Sequence, residues 1–216
     1  MPFTTLYFDL DDTLYPPTAG LWGAIGARIT AYLTDRMGFP PENVNVIREK
    51  YFREYGTTLR GLQANHKVDM DDYLAFVHDV PLADYIHPDP QVKTALASIP
   101  ARKFIFTNAD KNHAGRVLAI LGLQELFEGI IDVHTIAPYC KPMPGAFELA
   151  LKAAGDPDPR KCVLLDDQRR ITRVASQLGF YTILVGAEDP GEDSQAALLN
   201  LAGLPALLEG QGLRKD

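Results

Sequence analysis

Five short apolar runs set the tightest limit on what this chain can fold into: TTLYFDL near residue 4, KFIFT near 103, GIIDVHTI near 129, KCVLLDD near 161 and YTILV near 181. Each is nearly continuous. A strand with one wet face alternates apolar and polar side chains, whereas a strand covered on both faces need not. Helical patterns separate the later runs. AGRVLAILG, GAFELALKAAG and ITRVASQLG carry apolar residues three and four apart and stop at Gly122, Gly155 and Gly179. Pro144 precedes the second pattern, where its fixed φ suits a first helical turn. Strand and helix alternating at this spacing predict an α/β fold, an open parallel sheet with helices on both faces.

The stretch between the first two runs breaks this rhythm. From residue 16 to residue 88 the periodicity is helical, with no strong strand. WGAIGARITAYLTDRMG, ENVNVIREKYFREYG and MDDYLAFVHD each show an apolar stripe. A crossover does not need that length, so 16–88 is expected to be an inserted helical-bundle domain, with Trp22 in its core. The proline-rich PLADYIHPDP reads as the return hinge. Residues 1–15 and 89–190 then form one discontinuous α/β core. The tail, 191–216, is expected to be helical (SQAALLNLAGLPALLEG) and to pack on that core.

Composition narrows the function. The 216 residues are 46% hydrophobic and 23% charged, as in an ordinary globular protein. The net charge of −7 argues against a grip on nucleic acid polymers. No run is long enough to span a bilayer, and no basic segment with an apolar stretch behind it opens the sequence. Two cysteines, Cys140 and Cys162, do not make a disulfide framework. A cytoplasmic, reducing setting is expected, with the protein a monomer or homodimer.

Ligands of parallel sheets bind beyond the carboxyl ends of the strands. The first run ends in Asp9, Asp11 and Asp12, the second in Thr107 and Asn108, and the fourth in Asp166 and Asp167. Lys141 follows the third. If the sheet forms, carboxylates, a hydroxyl and an ammonium converge on one rim. Such a set suits phosphoryl transfer. An ionised Asp9 can attack phosphorus without activation. Mg²⁺ among oxygen ligands would relieve its repulsion from phosphate. Asp11 can protonate the leaving oxygen and later deprotonate water. Asp12 is read as a turn residue, Asp110 or Asn108 as a helix cap, and His113, just behind that cap, as structural.

DLDDT, TNA, KP and LLDD, in that order and on those elements, resemble the four motifs of the haloacid-dehalogenase-like superfamily of phosphatases. The resemblance implies a Rossmann-like core and an aspartyl-phosphate mechanism with Mg²⁺. It implies Asp9 as nucleophile and metal ligand, and Asp11 as acid/base that also binds metal through its backbone carbonyl. Thr107, with Asn108, would hold phosphate and Lys141 would steady the charge. Asp167 would ligate metal directly and Asp166 through water. DLDDTLYP, FTNADKNHA and the insert YFREYGTTLRGLQANHKVDMDDY further resemble the pyrimidine 5′-nucleotidase branch. That implies a small phosphomonoester substrate, a nucleoside 5′-monophosphate such as UMP or CMP. The insert would be a lid, with Arg60, Tyr55 and His66 as candidates for substrate contact.

One position departs from the pattern. Where the fourth motif usually has Asn or Asp, this chain has Ile171, which cannot hydrogen-bond Lys141. Asp166 can still orient that lysine, so activity is expected to survive. Arg169, Arg170 and Arg173 beside it have no assigned role. A sugar-phosphate phosphatase or a phosphomutase needs the same residue types. Ile171 also gives some weight to a binding protein that kept the fold.

Overall fold

The structure is a computed structural model and describes residues 3–210. It begins with β1 (Thr5–Phe8). Four helices follow: α1 (Leu21–Ala31, extended by a wider turn over Tyr32–Arg36), α2 (Pro41–Tyr55), α3 (Thr58–Asn65) and α4 (Met70–Val77). The chain continues through α5 (Pro90–Ser98), β2 (Arg102–Phe106), α6 (Lys111–Leu121), β3 (Gly129–Ile131) and α7 (Pro144–Ala153). It closes with β4 (Cys162–Asp166), α8 (Arg169–Gln177), β5 (Tyr181–Val185), β6 (Ala196–Leu198) and α9 (Leu204–Gly210). Contacts divide it into two units. One runs to Ala19 and resumes at Ile86, and the other is Gly20–Tyr85. The expected insert, 16–88, thus loses a few residues at each end.

The unit Gly20–Tyr85 is helical throughout. Side chains fix where α3 and α4 start: Thr57 Oγ1 accepts from Arg60 N, and Asp69 Oδ1 accepts from Asp71 N and Asp72 N. Ile25, Leu33 and Leu62 are buried in it. Gly61 lies so close to the Tyr51 ring that a Cβ there would overlap it, which is why α3 can approach α2. Trp22 is not in that core as expected; it is 48% exposed. α3 was absent from the apolar patterns because only four of its residues, Leu59–Leu62, are buried.

In the other unit a six-stranded sheet, all parallel, runs in the order β3-β2-β1-β4-β5-β6. Tyr7, Phe104, Phe106 and Leu164 face α7 and α8, packing on Phe147, Ile171 and Ala175. Leu6, Phe8, Ile105 and Leu165, of opposite parity, are buried on the other face. Both faces are covered, so the runs had no reason to alternate. No helix among the described residues is long and apolar enough to cross a membrane.

Two expectations need correction. The third run is a strand only over Gly129–Ile131. Asp132 then turns the chain, its Oδ1 accepting from Thr135 N and Oγ1. The tail is not one helix either. Ala196–Leu198 pairs with β5 as an edge strand, Asn200 accepts from Ala202 N, and α9 starts only at Leu204. An Ala/Leu stretch satisfies either period, and the free edge of β5 decides it. Residues 211–216 of the expected tail lie outside the described residues.

Register sets up the rim. Phe8 lies opposite both Ile105 and Leu165, so Asp9 comes level with the ends of β2 and β4. Backbone bonds hold the level: Asp9 N donates to Leu165 O and Thr107 N to Ile131 O.

The Tyr7 hydroxyl, fully buried in the sheet core, has no hydrogen-bond partner among the described residues. An unsatisfied buried hydroxyl costs about 1 kcal/mol or more. Tyr7→Phe is therefore expected to raise the melting temperature by about 2–4 °C, read by thermal unfolding.

Candidate active site

The site begins with β1, which delivers Asp9 to the carboxyl edge of the sheet. Lys141 reaches in from the loop after β3. Its Nζ donates to Asp9 Oδ1 at 2.8 Å and to Asp166 Oδ2 at 2.7 Å, and its side chain is 1% exposed. Burial alone would drive the lysine toward neutrality. Asp166 and Asp9 outweigh that and hold its pKa above the ordinary value. Asp9 feels the opposite balance. Burial raises its pKa well above the usual carboxylate range, Lys141 offsets part of the rise, and Asp166 and Asp167 add to it.

Carboxylate oxygens of Asp9, Asp166 and Asp167 lie within 4.8 Å of one another. When ionised they outweigh the one ammonium they touch by two negative charges, the charge of a divalent cation. Asp167 Oδ1 is buried and has no partner among the described residues. Burial, then Asp166, pushes the Asp167 carboxyl up to about 7. Asp166 is engaged on both oxygens, Oδ2 by Lys141 and Oδ1 by Gln168 N at 2.9 Å. These oxygen donors fit Mg²⁺, with Asp9 and Asp167 open to direct contact and Asp166 better suited to act through water.

Asp11 is held from two sides: its Oδ1 accepts from Tyr15 OH at 2.6 Å and from His113 Nε2 at 2.9 Å. Burial first, then Asp11, pushes the Tyr15 phenol far above its ordinary pKa, so its O–H stays a donor. Asp12 takes the left-handed backbone, φ 58, at the turn after β1, in keeping with a turn residue. Burial and Asp11 push its carboxyl up to about 6.

Thr107 is buried at the end of β2, its Oγ1 accepting from Ala109 N. The Asn108 side chain is turned toward the chain instead of being presented as a ligand. Its Oδ1 accepts from Lys141 N at 2.8 Å and its Nδ2 donates to Lys141 O at 3.1 Å. Asp110, not Asn108, caps α6, accepting from Asn112 N and His113 N. Arg60 belongs to the helical unit, where it is 9% exposed and its Nη1 donates to Gln63 Oε1 at 2.7 Å. His66 is bonded to Tyr51 OH within that same unit.

The departure at Ile171 proves to be a packing choice. Its side chain is 1% exposed in the core between α8 and the sheet, and Asp166 orients Lys141 from that side. The arginines divide. Arg169 donates to Pro190 O and Asp189 O, and Arg173 pairs with Asp193, so both tie down the loop before β6. Arg170 is partly buried, donates to Gln168 Oε1, and has its burial cost offset in part by Asp166 and Asp167. Sequence reasoning missed Tyr15 and took His113 as structural. The four-residue step from Asp11 to Tyr15 was the available signal, whereas His113 meets Asp11 across 102 positions.

Comparison with known proteins agrees with this geometry. The haloacid dehalogenase-like hydrolase family matches residues 3–179. Phosphate metabolism protein 8 of Saccharomyces cerevisiae is 30% identical over 203 residues, 88% of this chain; the chain spans 63% of that relative's length. Three solved structures share the fold at low identity. L-2-haloacid dehalogenase from Xanthobacter autotrophicus has a TM-score of 0.61 at 17% identity, covering 98% of this chain and 100% of its own. Magnesium-bound YfnB from Bacillus subtilis has a TM-score of 0.66 at 16% identity, covering 97% and 100%. A HAD phosphatase from Thermococcus onnurineus has a TM-score of 0.65 at 14% identity, covering 96% and 98%. The match over most of its length, on a sheet whose carboxyl edge carries Asp9, Thr107, Asp166 and the lysine that bridges two of them, places this chain in the haloacid dehalogenase-like hydrolase family.

Proposed function

We propose that this protein hydrolyses phosphomonoesters through an aspartyl phosphate on Asp9. The observation that carries the reading is the buried Lys141 ammonium bonded to Asp9 and Asp166 beside the unpartnered oxygen of Asp167. An Asp9 oxygen attacks phosphorus as the ester P–O bond breaks, and the bond's electron pair leaves on the alcohol oxygen. Asp11 gives that oxygen a proton. As a carboxylate, Asp11 then takes a proton from the water that attacks phosphorus, releasing phosphate and restoring Asp9. Lys141 favours the ionised form of Asp9 and orients it. Thr107 accepts from Ala109 N, which leaves its own hydroxyl proton for a phosphate oxygen. Asp9, Asp167 and the Asp11 carbonyl would hold Mg²⁺, with Asp166 behind them. Bound there, the ion would neutralise phosphate charge and act as a Lewis acid. A dehalogenase expels halide and needs no proton donor, so a carboxylate held like Asp11 favours ester chemistry.

The substrate class rests on the resemblance of YGTTLRGL and its neighbours. On that ground nucleoside 5′-monophosphates of the pyrimidine series are proposed, with discrimination assigned to the helical unit and its Arg60.

A phosphate-release screen over nucleotides and sugar phosphates, with Asp9→Asn as the blank, tests both levels. UMP and CMP are expected to lead. A sugar phosphate in the lead would overturn the substrate class, and no release from any ester would overturn the phosphatase. Mg²⁺ at a hundredfold its dissociation constant is expected to stabilise the protein by about 2.7 kcal/mol. Asp167→Asn should remove most of that thermal shift, and EDTA should abolish turnover. Asn108→Ala, which frees the Lys141 backbone, is expected to lower kcat by about 10–100-fold.

A further inference from the structure

We infer that Tyr15 and His113 are positioning residues that lock the Asp11 carboxylate in its proton-transfer pose, an inference that rests on the phosphatase reading above. Asp11 sits in the turn after β1, where nothing in the strand ladder fixes its side chain. Two donors from different places converge on it. Tyr15 is 5% exposed and lies four residues on, and its O–H donates to Oδ1 at 2.6 Å. His113 is 1% exposed and lies in the first turn of α6, and its Nε2 donates to the same Oδ1 at 2.9 Å. Neither group can drift. The start of α6 is pinned by Asp110, which accepts from the backbone N–H of Asn112 and of His113 itself. Tyr15 is buried beside Leu14 in the same turn.

Both donors meet the same oxygen, Oδ1, and together they hold the carboxylate in one orientation. Fixing a reacting group within a fraction of an ångström is worth orders of magnitude in rate.

The leaving group tells a positioning role from a structural one. An alkyl phosphate needs a proton on its departing oxygen, whereas p-nitrophenyl phosphate leaves without one. The value of kcat/KM reports steps up to formation of the aspartyl phosphate, so it isolates the acid step. Tyr15→Phe and His113→Leu are expected to cut kcat/KM for the best alkyl ester of the screen by about 10–100-fold. The loss on p-nitrophenyl phosphate should be at least about tenfold smaller. His113→Gln, which keeps an N–H near the Nε2 position, should recover most of the alkyl activity. Tyr15→Phe keeps the shape of the side chain and carries the test alone where His113→Leu does not fold. Equal losses on the two esters, or no loss on the alkyl ester, would overturn the inference. A wild-type protein that releases phosphate from neither ester would overturn the phosphatase reading as well.

Discussion

A lysine ammonium buried between two aspartates organises this molecule. Burial of the Lys141 ammonium at the carboxyl edge of the sheet is offset by the carboxylates of Asp9 and Asp166, which both bond its Nζ. Removing the ammonium alone would leave like charges facing each other in a buried site, at a cost of about 3–5 kcal/mol. The three groups come from β1, β4 and the loop after β3. The interaction therefore demands that β1 and β4 be neighbours in register, as they are.

The rest of the architecture serves that demand. Continuous burial of β1 and β4 fixes the two aspartates at one level, since a slip of one residue would turn each to the opposite face. The loop bearing Lys141 has no strand to hold it. Asn108 takes over, pairing both ends of its carboxamide with the Lys141 backbone and so coupling the ends of β2 and β3. Charge balance remains incomplete. Asp167 keeps a buried oxygen with no partner among the described residues, a state that is costly unless a cation is bound.

Much of this was legible in the sequence, for identifiable reasons. A strand buried on both faces writes itself as an unbroken apolar run, and a sheet edge that gathers polar groups writes itself as polar residues at the end of such runs. Asp9, Thr107, Asp166 and Asp167 are of that kind. What escaped depended on tertiary competition. The Ala/Leu tail serves as strand or helix, and only the free edge of β5 made Ala196–Leu198 a strand. Asn108 has the right type for a phosphate ligand, yet its carboxamide faces Lys141, whose position no local pattern reveals. His113 looks like any residue behind a helix cap until α6 brings it to Asp11. Ile171 departs from a motif because α8 uses that position for packing.

The most direct measurement is the covalent state of residue 9 during turnover. Acid quench with substrate and Mg²⁺, borohydride reduction and peptide mass analysis would convert an aspartyl phosphate to homoserine. Homoserine at position 9, absent without substrate, is the predicted result. Phosphate release with residue 9 unmodified, or with the adduct on another side chain, would contradict the role assigned to Asp9.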